Sequence, residues 1–228
     1  MKIFGLQKLT LIDYPGLTAA TIFLSGCDYS CPFCHNAVFM GENNTNLISA
    51  DEVIDFLKTR TNKLDGVCIS GGEPLLQVGL EGFIEEIKNL GFKIKLDTNG
   101  QNADALKKLV ESGLVNYIAM DIKSSLHNYG KAIGIDDFET SQVEESVAYL
   151  LTDVVPYEFR TTVVRKLHTV DDFHSIGKWL QNADKYFLQK FKYSEGVPDK
   201  NLSECNDKEM KEFCEILTTY NIDASLRE

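Results

Sequence analysis

Short apolar runs alternate along this chain with longer stretches in which apolar residues recur at helical spacing. The runs read as buried strands at residues 20–24, 66–69, 92–96, 117–120, 159–164 and 186–188. Each run precedes a stretch with apolar positions three and four residues apart, as on one face of an amphipathic helix. Strands that alternate with helices in this way predict an α/β fold, with a parallel sheet and helices packed outside it.

Polar residues mark the predicted helix ends. Ser49 with Glu52, and Ser141 with Glu144, have the spacing of capping boxes, so a helix is expected to begin at each. Gly91 is expected to end the helix before the third strand, because glycine readily adopts the left-handed conformation found there.

The number of strand–helix units indicates the architecture. Eight units would close a full barrel, and six units predict a partial, open (βα)6 barrel. The chain has no solenoid repeat, low-complexity tract or obvious linker. One domain is therefore expected over residues 1–228, with residues 1–18 as a short N-terminal extension.

Charge narrows the range of partners. The chain has 34 acidic and 23 basic residues, a formal net charge of −11. Nucleic acids and anionic membranes need a basic surface, so neither is expected as the main partner. No apolar run approaches the roughly 20 residues that span a bilayer, and the N-terminus turns polar before a signal-peptide core could form. A cytoplasmic protein is expected.

Three cysteines, Cys27, Cys31 and Cys34, fall within eight residues of one loop. Thiolates are the soft ligands that select zinc, copper(I) or iron–sulfur clusters. Three thiolates would leave one iron of a four-iron cluster open to another ligand. The alternative is a structural zinc site with His35 as fourth ligand, although such sites usually pair two short cysteine motifs.

The other cysteines do not suggest a second centre. Cys68 lies in an apolar run and is expected to be buried. Cys205 and Cys214 are nine residues apart, which would place them on opposite sides of a helix. The roles of all three stay open at this point.

Further polar residues follow the predicted strands at the ends where parallel α/β folds bind ligands. Gly71 and Gly72 would allow close approach of a ligand, and Glu73 could accept hydrogen bonds from a cationic amine. The other candidates are Asp97, Asp121, Lys123 and Arg160.

Each candidate also has a structural alternative. The glycine segment could be an ordinary turn, and Asp97 could cap the next helix. Asp121 and Lys123 could form a surface salt bridge of little energetic value, and Arg160 could be paired structurally. The histidines at 127, 168 and 174 have no recognisable context and are expected at the surface.

The cysteine spacing, together with Phe33 before the third cysteine, resembles the cluster motif of the radical S-adenosylmethionine (SAM) enzymes. The segment from Ser70 to Pro74 resembles their glycine-rich segment, which binds the methionine amino group. This resemblance implies a partial barrel and a 4Fe–4S cluster on the three cysteines, with SAM chelated at the open iron. It also implies a cofactor site made of Phe33, Gly71, Gly72, Glu73, Asp97, Asp121, Lys123 and Arg160. No catalytic acid or base is required, because cluster and SAM carry the chemistry.

Flanking residues narrow the resemblance to the activases of glycyl radical enzymes. The cysteine motif continues into His35 and Asn36 as in those activases, and the segments beginning at Asp97 and Asp121 also resemble theirs. Residues 6–16 are similar to the activating proteins of anaerobic ribonucleoside-triphosphate reductase. No cysteine lies at residues 35–67, so an activase with a single cluster is favoured.

The resemblance implies a glycyl radical enzyme as partner and a flavodoxin- or ferredoxin-type electron donor. Three alternatives stay open: an activase of pyruvate formate-lyase or another glycyl radical enzyme, a small-molecule radical SAM enzyme such as 7-carboxy-7-deazaguanine synthase, and a zinc-binding interaction module.

Overall fold

A computed structural model describes residues 1–37 and 47–227 of the chain. Its strands are β1 (Ile3–Thr10), β2 (Ala19–Leu24), β3 (Gly66–Gly71), β4 (Lys93–Thr98), β5 (Tyr117–Asp121), β6 (Tyr157–Arg165), β7 (Tyr186–Lys190), β8 (Ser203–Glu204) and β9 (Ala224–Arg227). Its α-helices are α1 (Ala50–Lys58), α2 (Leu80–Asn89), α3 (Ala103–Glu111), α4 (Tyr129–Ile133), α5 (Ser141–Leu150), α6 (Val170–Trp179) and α7 (Asp207–Thr218). Among the described helices, none is both long enough and apolar enough to cross a membrane.

The strands β2 to β7 lie side by side in chain order and are all parallel. The strand β9 continues the sheet in parallel beyond β7, whereas β1 runs antiparallel to β2 at the other edge. The short strand β8 pairs with β6. The predicted alternation of strands and helices is confirmed, since six strand–helix units run from β2 to α7.

The two edge strands β1 and β9 were not predicted, because neither has a clear alternation of buried and exposed positions. Within β1 only Ile3 and Thr10 are buried, and its pairing with β2 is irregular at two points. In β9 the middle residues Ser225 and Leu226 are exposed. Much of the expected N-terminal extension is therefore an edge strand of the sheet.

The helix ends agree with the sequence at two of three predicted places. Ser49 and Glu52 form the predicted capping box, in which each side chain accepts a hydrogen bond from the backbone N–H of the other residue. Gly91 follows α2 with a positive φ of 95°, as expected. The predicted capping box at Ser141 is wrong, because Ser141 is the first residue of α5. The cap residue Thr140 donates its hydroxyl hydrogen to Glu144 and caps no backbone N–H.

The segment between β1 and β2 fills the end of the sheet opposite to the cysteine loop. The hydroxyl of Thr21 donates a hydrogen bond of 2.5 Å to Asp13. The ring of Tyr14 is buried, with its centroid 6.1 Å from that of Tyr117. A side chain at Gly66 would not fit, because its Cβ would lie 3.0 Å from the Tyr14 ring and 2.9 Å from a backbone oxygen. This packing gives residues 13–14 of the N-terminal run a structural role.

Candidate functional site

The C-terminal ends of β2 to β7 surround one cavity of about 490 Å³, a size typical of small-molecule sites. The predicted site residues that line this cavity are Cys27, Cys31, Phe33, Cys34, Gly71, Gly72, Asp97, Asp121, Lys123 and Arg160. Residues from five different strands, or from the loops that follow them, therefore meet at the place that the sequence predicts. Of the predicted site residues, Glu73 alone is outside the lining.

Two backbone hydrogen bonds help to hold the cysteine loop in place. The N–H of Ser30 donates a hydrogen bond of 2.9 Å to the carbonyl oxygen of Ile133, at the end of α4. On the other side, the carbonyl oxygen of Pro32 accepts one of 3.0 Å from the N–H of Asp199. The loop position thus depends on two segments that are distant in sequence.

Burial of the loop favours the protonated form of all three thiols. It raises the pKa of Cys27 to about 12 and that of Cys31 to about 11, and it also raises the pKa of Cys34. The positive charge of Lys123 opposes this effect at each thiol but does not cancel it. A metal that binds here must therefore displace protons.

The described part of the chain contains no ready-made site for a single metal ion. Across residues 1–37 and 47–227, no three His, Cys, Asp or Glu side chains are grouped so that they could hold one metal ion. The ring nitrogen Nε2 of His35 lies 2.6 Å from the carbonyl oxygen of Lys192. Because a carbonyl oxygen can only accept, this nitrogen of His35 carries the hydrogen.

Gly71, the last residue of β3, and Gly72 pack directly against the end of β2 and the start of the cysteine loop. The N–H of Gly72 donates to the carbonyl oxygen of Leu24, at 2.8 Å. A Cβ at Gly72 would lie 1.9 Å from the carbonyl oxygen of Gly26, far inside contact distance. At Gly71, where φ is +114°, a Cβ would lie 2.4 Å from backbone atoms of Leu24. Both positions therefore require glycine, and they join the glycine segment closely to the cysteine loop.

The carboxylate of Glu73 lies behind the cavity wall, where only 1% of the residue is exposed. It accepts hydrogen bonds from the N–H of Leu75 (2.9 Å), the hydroxyl of Thr98 (2.8 Å) and the N–H of Asn99 (2.7 Å). Burial nevertheless raises its pKa to about 7. The expected contact of this carboxylate with a bound amine is not supported by its position, because its partners are groups of the protein. The side chain instead ties the end of β3 to the segment after β4.

Four of the predicted residues form a half-buried network of charges at the cavity wall. The guanidinium of Arg160 pairs with Asp97 at 3.2 Å and with Asp121 at 2.9 Å, and Lys123 pairs with Asp121 at 2.9 Å. Burial acts to raise the pKa of Asp121, but the charges of Arg160 and Lys123 outweigh it and hold the pKa well below its usual range. The structural alternatives from the sequence do not apply here. Asp97 pairs with charged side chains and does not cap a helix, and the salt bridge of Asp121 is not a fully exposed one.

Lys95 belongs to this network and was missed in the sequence. It is 1% exposed, pairs with Asp97, and places its amine 3.8 Å from the sulfur of Cys68. The available signal was a lysine two residues before a candidate aspartate, on the same side of a strand. A lysine is mostly solvent-exposed in proteins, so its residue type alone gives no sign of burial here.

One of the histidines expected at the surface is buried. His168 is 4% exposed, and its Nε2 lies 2.8 Å from the carbonyl oxygen of Lys123. His127 and His174 are exposed, as predicted. Cys68 and Cys205 are buried, and Cys214 contacts the carbonyl oxygen of Ala224 at 3.2 Å. None of these three cysteines lines the cavity.

Comparison with known proteins agrees with this geometry. The family model for the radical SAM superfamily matches residues 21–175. A Methanocaldococcus jannaschii protein, provisionally named a glycyl-radical enzyme activating enzyme, is 31% identical over 231 residues, which cover 96% of this chain and 92% of that protein. The pyruvate formate-lyase-activating enzyme of Listeria monocytogenes is 29% identical over 134 residues, covering 54% of this chain and 53% of that enzyme.

The fold is shared with solved structures as well. A radical SAM methyltransferase from Sphaerobacter thermophilus superposes with a TM-score of 0.75 over 96% of this chain and 68% of the other, at 16% identity. Membership of the superfamily implies SAM and an iron–sulfur cluster as cofactors. With the family match over most of its length, this chain belongs to the radical SAM superfamily of enzymes.

Proposed function

We propose that this chain is a glycyl-radical-enzyme activating enzyme whose target is anaerobic ribonucleoside-triphosphate reductase. The observation that carries the proposal is the position of Cys27, Cys31 and Cys34 on the same cavity wall as the polar strand ends. The M. jannaschii relative, similar along nearly its full length, supports the activase class. The similarity of residues 6–16 to reductase-activating proteins supports the particular target.

The cavity fits a single 4Fe–4S cluster held by Cys27, Cys31 and Cys34. Each thiolate would bind a different iron, which leaves the fourth iron for SAM. Nitrogen donors already face one of the sulfurs, since the N–H of Tyr29 lies 3.5 Å and the amide of Asn99 lies 3.9 Å from the sulfur of Cys27. Such hydrogen bonds tune the potential of a bound cluster.

The charge network fits the amino acid part of SAM, which carries one ammonium and one carboxylate. Lys123 uses only part of its three-donor capacity on Asp121, so its amine can also hold a carboxylate at the cavity wall. Asp97 and Asp121 are kept ionised by Arg160 and can face the ammonium. Gly71 and Gly72 add no side chain that would block this approach.

Cys27, Cys31 and Cys34 would hold the cluster, and the reduced cluster with bound SAM would supply the radical chemistry that removes a hydrogen atom from a glycine Cα of the partner. The residues of the chain bind and orient the cofactors. Glu73 and Lys95 act behind the wall, where they hold Asn99 and Asp97 respectively.

The decisive experiment is anaerobic electron paramagnetic resonance (EPR) of the reconstituted protein with SAM, a reductant and anaerobic ribonucleotide reductase from the same source. We expect a glycyl radical doublet that requires both SAM and this chain. A Cys31→Ala variant should abolish the doublet, whereas Cys214→Ala, which changes a cysteine outside the cavity, should retain it.

Other targets give different outcomes in the same assay. A doublet on pyruvate formate-lyase in place of the reductase would favour the activase type named for the Listeria relative. SAM cleavage that is stimulated by a pterin and by no protein would favour a deazaguanine synthase. Full SAM cleavage by the Cys31→Ala variant would contradict the cluster assignment itself.

A further inference from the structure

The segment after β5, residues 122–128, carries Lys123 to the cavity and is held from behind by His168. The imidazole is buried, and its Nε2 lies 2.8 Å from the carbonyl oxygen of Lys123. Its Nδ1 lies 3.0 Å from the backbone nitrogen of Val164, whose N–H donates to it. Nδ1 also lies 3.3 Å from the carbonyl oxygen of Val164. Nε2 faces a carbonyl oxygen and therefore carries a hydrogen, and burial lowers the pKa of the ring, so the neutral form with its hydrogen on Nε2 is favoured.

Asp172, four residues further on, holds the same segment at a second point. It is completely buried, and its Oδ2 caps α6 by accepting hydrogen bonds from the N–H and hydroxyl of Thr169, at 2.9 and 2.7 Å. Its Oδ1 accepts from the amide of Asn128 at 2.8 Å and from the hydroxyl of Ser125. One carboxylate therefore joins the start of α6 to the 122–128 segment.

The 122–128 segment leads directly into α4, which in turn contacts the cysteine loop. The carbonyl oxygen of Ile133 accepts the hydrogen bond from Ser30. A Cβ at Gly134, where φ is +72°, would lie 2.5 Å from the carbonyl oxygen of Ser30. The start of α6, the 122–128 segment and the cysteine loop thus form a continuous packed path.

We propose that His168 and Asp172 are positioning residues that set Lys123 against the carboxylate of SAM. Neither side chain lines the cavity, so both would act through the backbone of the 122–128 segment. The inference rests on the proposed function, in which this cavity binds SAM. It assigns a role to a histidine that the sequence had placed at the surface.

The test measures the dissociation constant for SAM of cluster-loaded protein by equilibrium dialysis under anaerobic conditions. His168→Phe keeps a ring beside Phe33 and Phe173, whose centroids lie 6.4 and 6.2 Å from that of the imidazole, and removes both hydrogen bonds. We expect SAM affinity to fall about tenfold or more, equivalent to about 1.4 kcal/mol. His168→Gln, which keeps a donor and an acceptor, should restore most of the affinity.

A matched control and a double-mutant cycle separate positioning from general damage. His174→Ala removes an exposed histidine of α6, one that contacts the hydroxyl of Tyr220, and should leave the affinity unchanged. Lys123→Met should itself weaken SAM binding, and His168→Phe should then cause little further loss. An effect of His168→Phe that persists in the Lys123→Met background would overturn the inference.

The remaining outcomes are also decisive. If His168→Phe fails to fold, Asp172→Asn is measured alone and in the Lys123→Met background, with the same expectation. If a folded His168→Phe protein binds SAM with wild-type affinity, this inference is overturned and the proposed function is not affected. Wild-type protein that binds no SAM would overturn the proposed function and this inference together.

Discussion

Gly72 occupies a position where the backbones of two segments touch. The site cavity depends on this contact, because it joins the end of β3 to the start of the cysteine loop. Glycine is needed there for lack of room, independently of any ligand. The sequence left two alternatives for this segment, an ordinary turn and a ligand-binding segment. The structure combines them, because the turn at Gly72 forms part of the cavity wall.

Gly72→Ala should destabilise the fold, because its Cβ would lie 1.9 Å from the carbonyl oxygen of Gly26 and neither backbone can easily move. We expect a loss of about 3 kcal/mol or more in the free energy of unfolding, measured in guanidinium chloride. Gly82→Ala is the matched control. It lies in α2 with open space around the new methyl group, and it should stabilise by about 0.5–1 kcal/mol. Equal effects of the two changes would contradict this assignment.

The burial of His168 predicts a dependence of stability on pH. Burial lowers its pKa below the usual value, which is about 6.5. Between about pH 7 and pH 5 the unfolded chain therefore takes up a proton that the folded protein does not, and stability falls as pH falls. The difference in the free energy of unfolding between wild type and His168→Gln should therefore shrink from about pH 7 to pH 5. Denaturant unfolding at a series of pH values measures this difference. The exposed His174→Ala variant should track wild type, and a constant difference between wild type and His168→Gln would contradict the prediction.

At the scale of elements, the hydrophobic pattern predicts what depends on local sequence. Buried parallel strands are rich in apolar residues, so β2 to β7 are visible in the sequence. The edge strands β1 and β9 are not, because each mixes exposed and half-buried positions without a regular pattern. Thr140 and Ser141 show a similar limit at a helix end, because either of two adjacent residues could precede the first helical residue and the sequence pattern does not decide which.

The segment between β1 and β2 gives an element-scale prediction, because Tyr14 fills the end of the sheet. Tyr14→Ala should leave a cavity and cost about 3 kcal/mol or more in the free energy of unfolding. Tyr14→Phe should cost less than about 1 kcal/mol, since the hydroxyl makes only a long 3.5 Å hydrogen bond to the carbonyl oxygen of Ile94. Both are measured by denaturant unfolding. A larger loss from Tyr14→Phe than from Tyr14→Ala would show that the hydroxyl, and not the ring, holds this end.

At the scale of the whole molecule, the location of the site follows from topology. Parallel strands end on one rim, so a motif after each strand is enough to predict that Cys31, Asp97 and Lys123 meet. Side-chain direction does not follow from topology. Glu73 points behind the rim, where Thr98 and Asn99 at the end of β4 hold it. Lys95 is buried beneath the rim, between Asp97 of its own strand and Cys68 of β3. The contacts of Glu73 and the approach of Lys95 to Cys68 join different strands, and one strand's pattern does not contain them.

The way in which the cysteine loop packs against its neighbours has a consequence for protein engineering. At Gly72 and Gly134 the loop meets its neighbours backbone to backbone, at Gly26 and Ser30. Ser30 itself is exposed, and its closest contacts with α4 and Gly134 are made by its backbone N–H and carbonyl oxygen. A designer could therefore vary the chemistry around the cysteines by substitution at Ser30 while their spacing stays fixed. Gly72 and Gly134 offer no such freedom, because a side chain at either position would collide with the backbone of the loop. Grafting this loop onto another scaffold would therefore require transferring these two glycines as well.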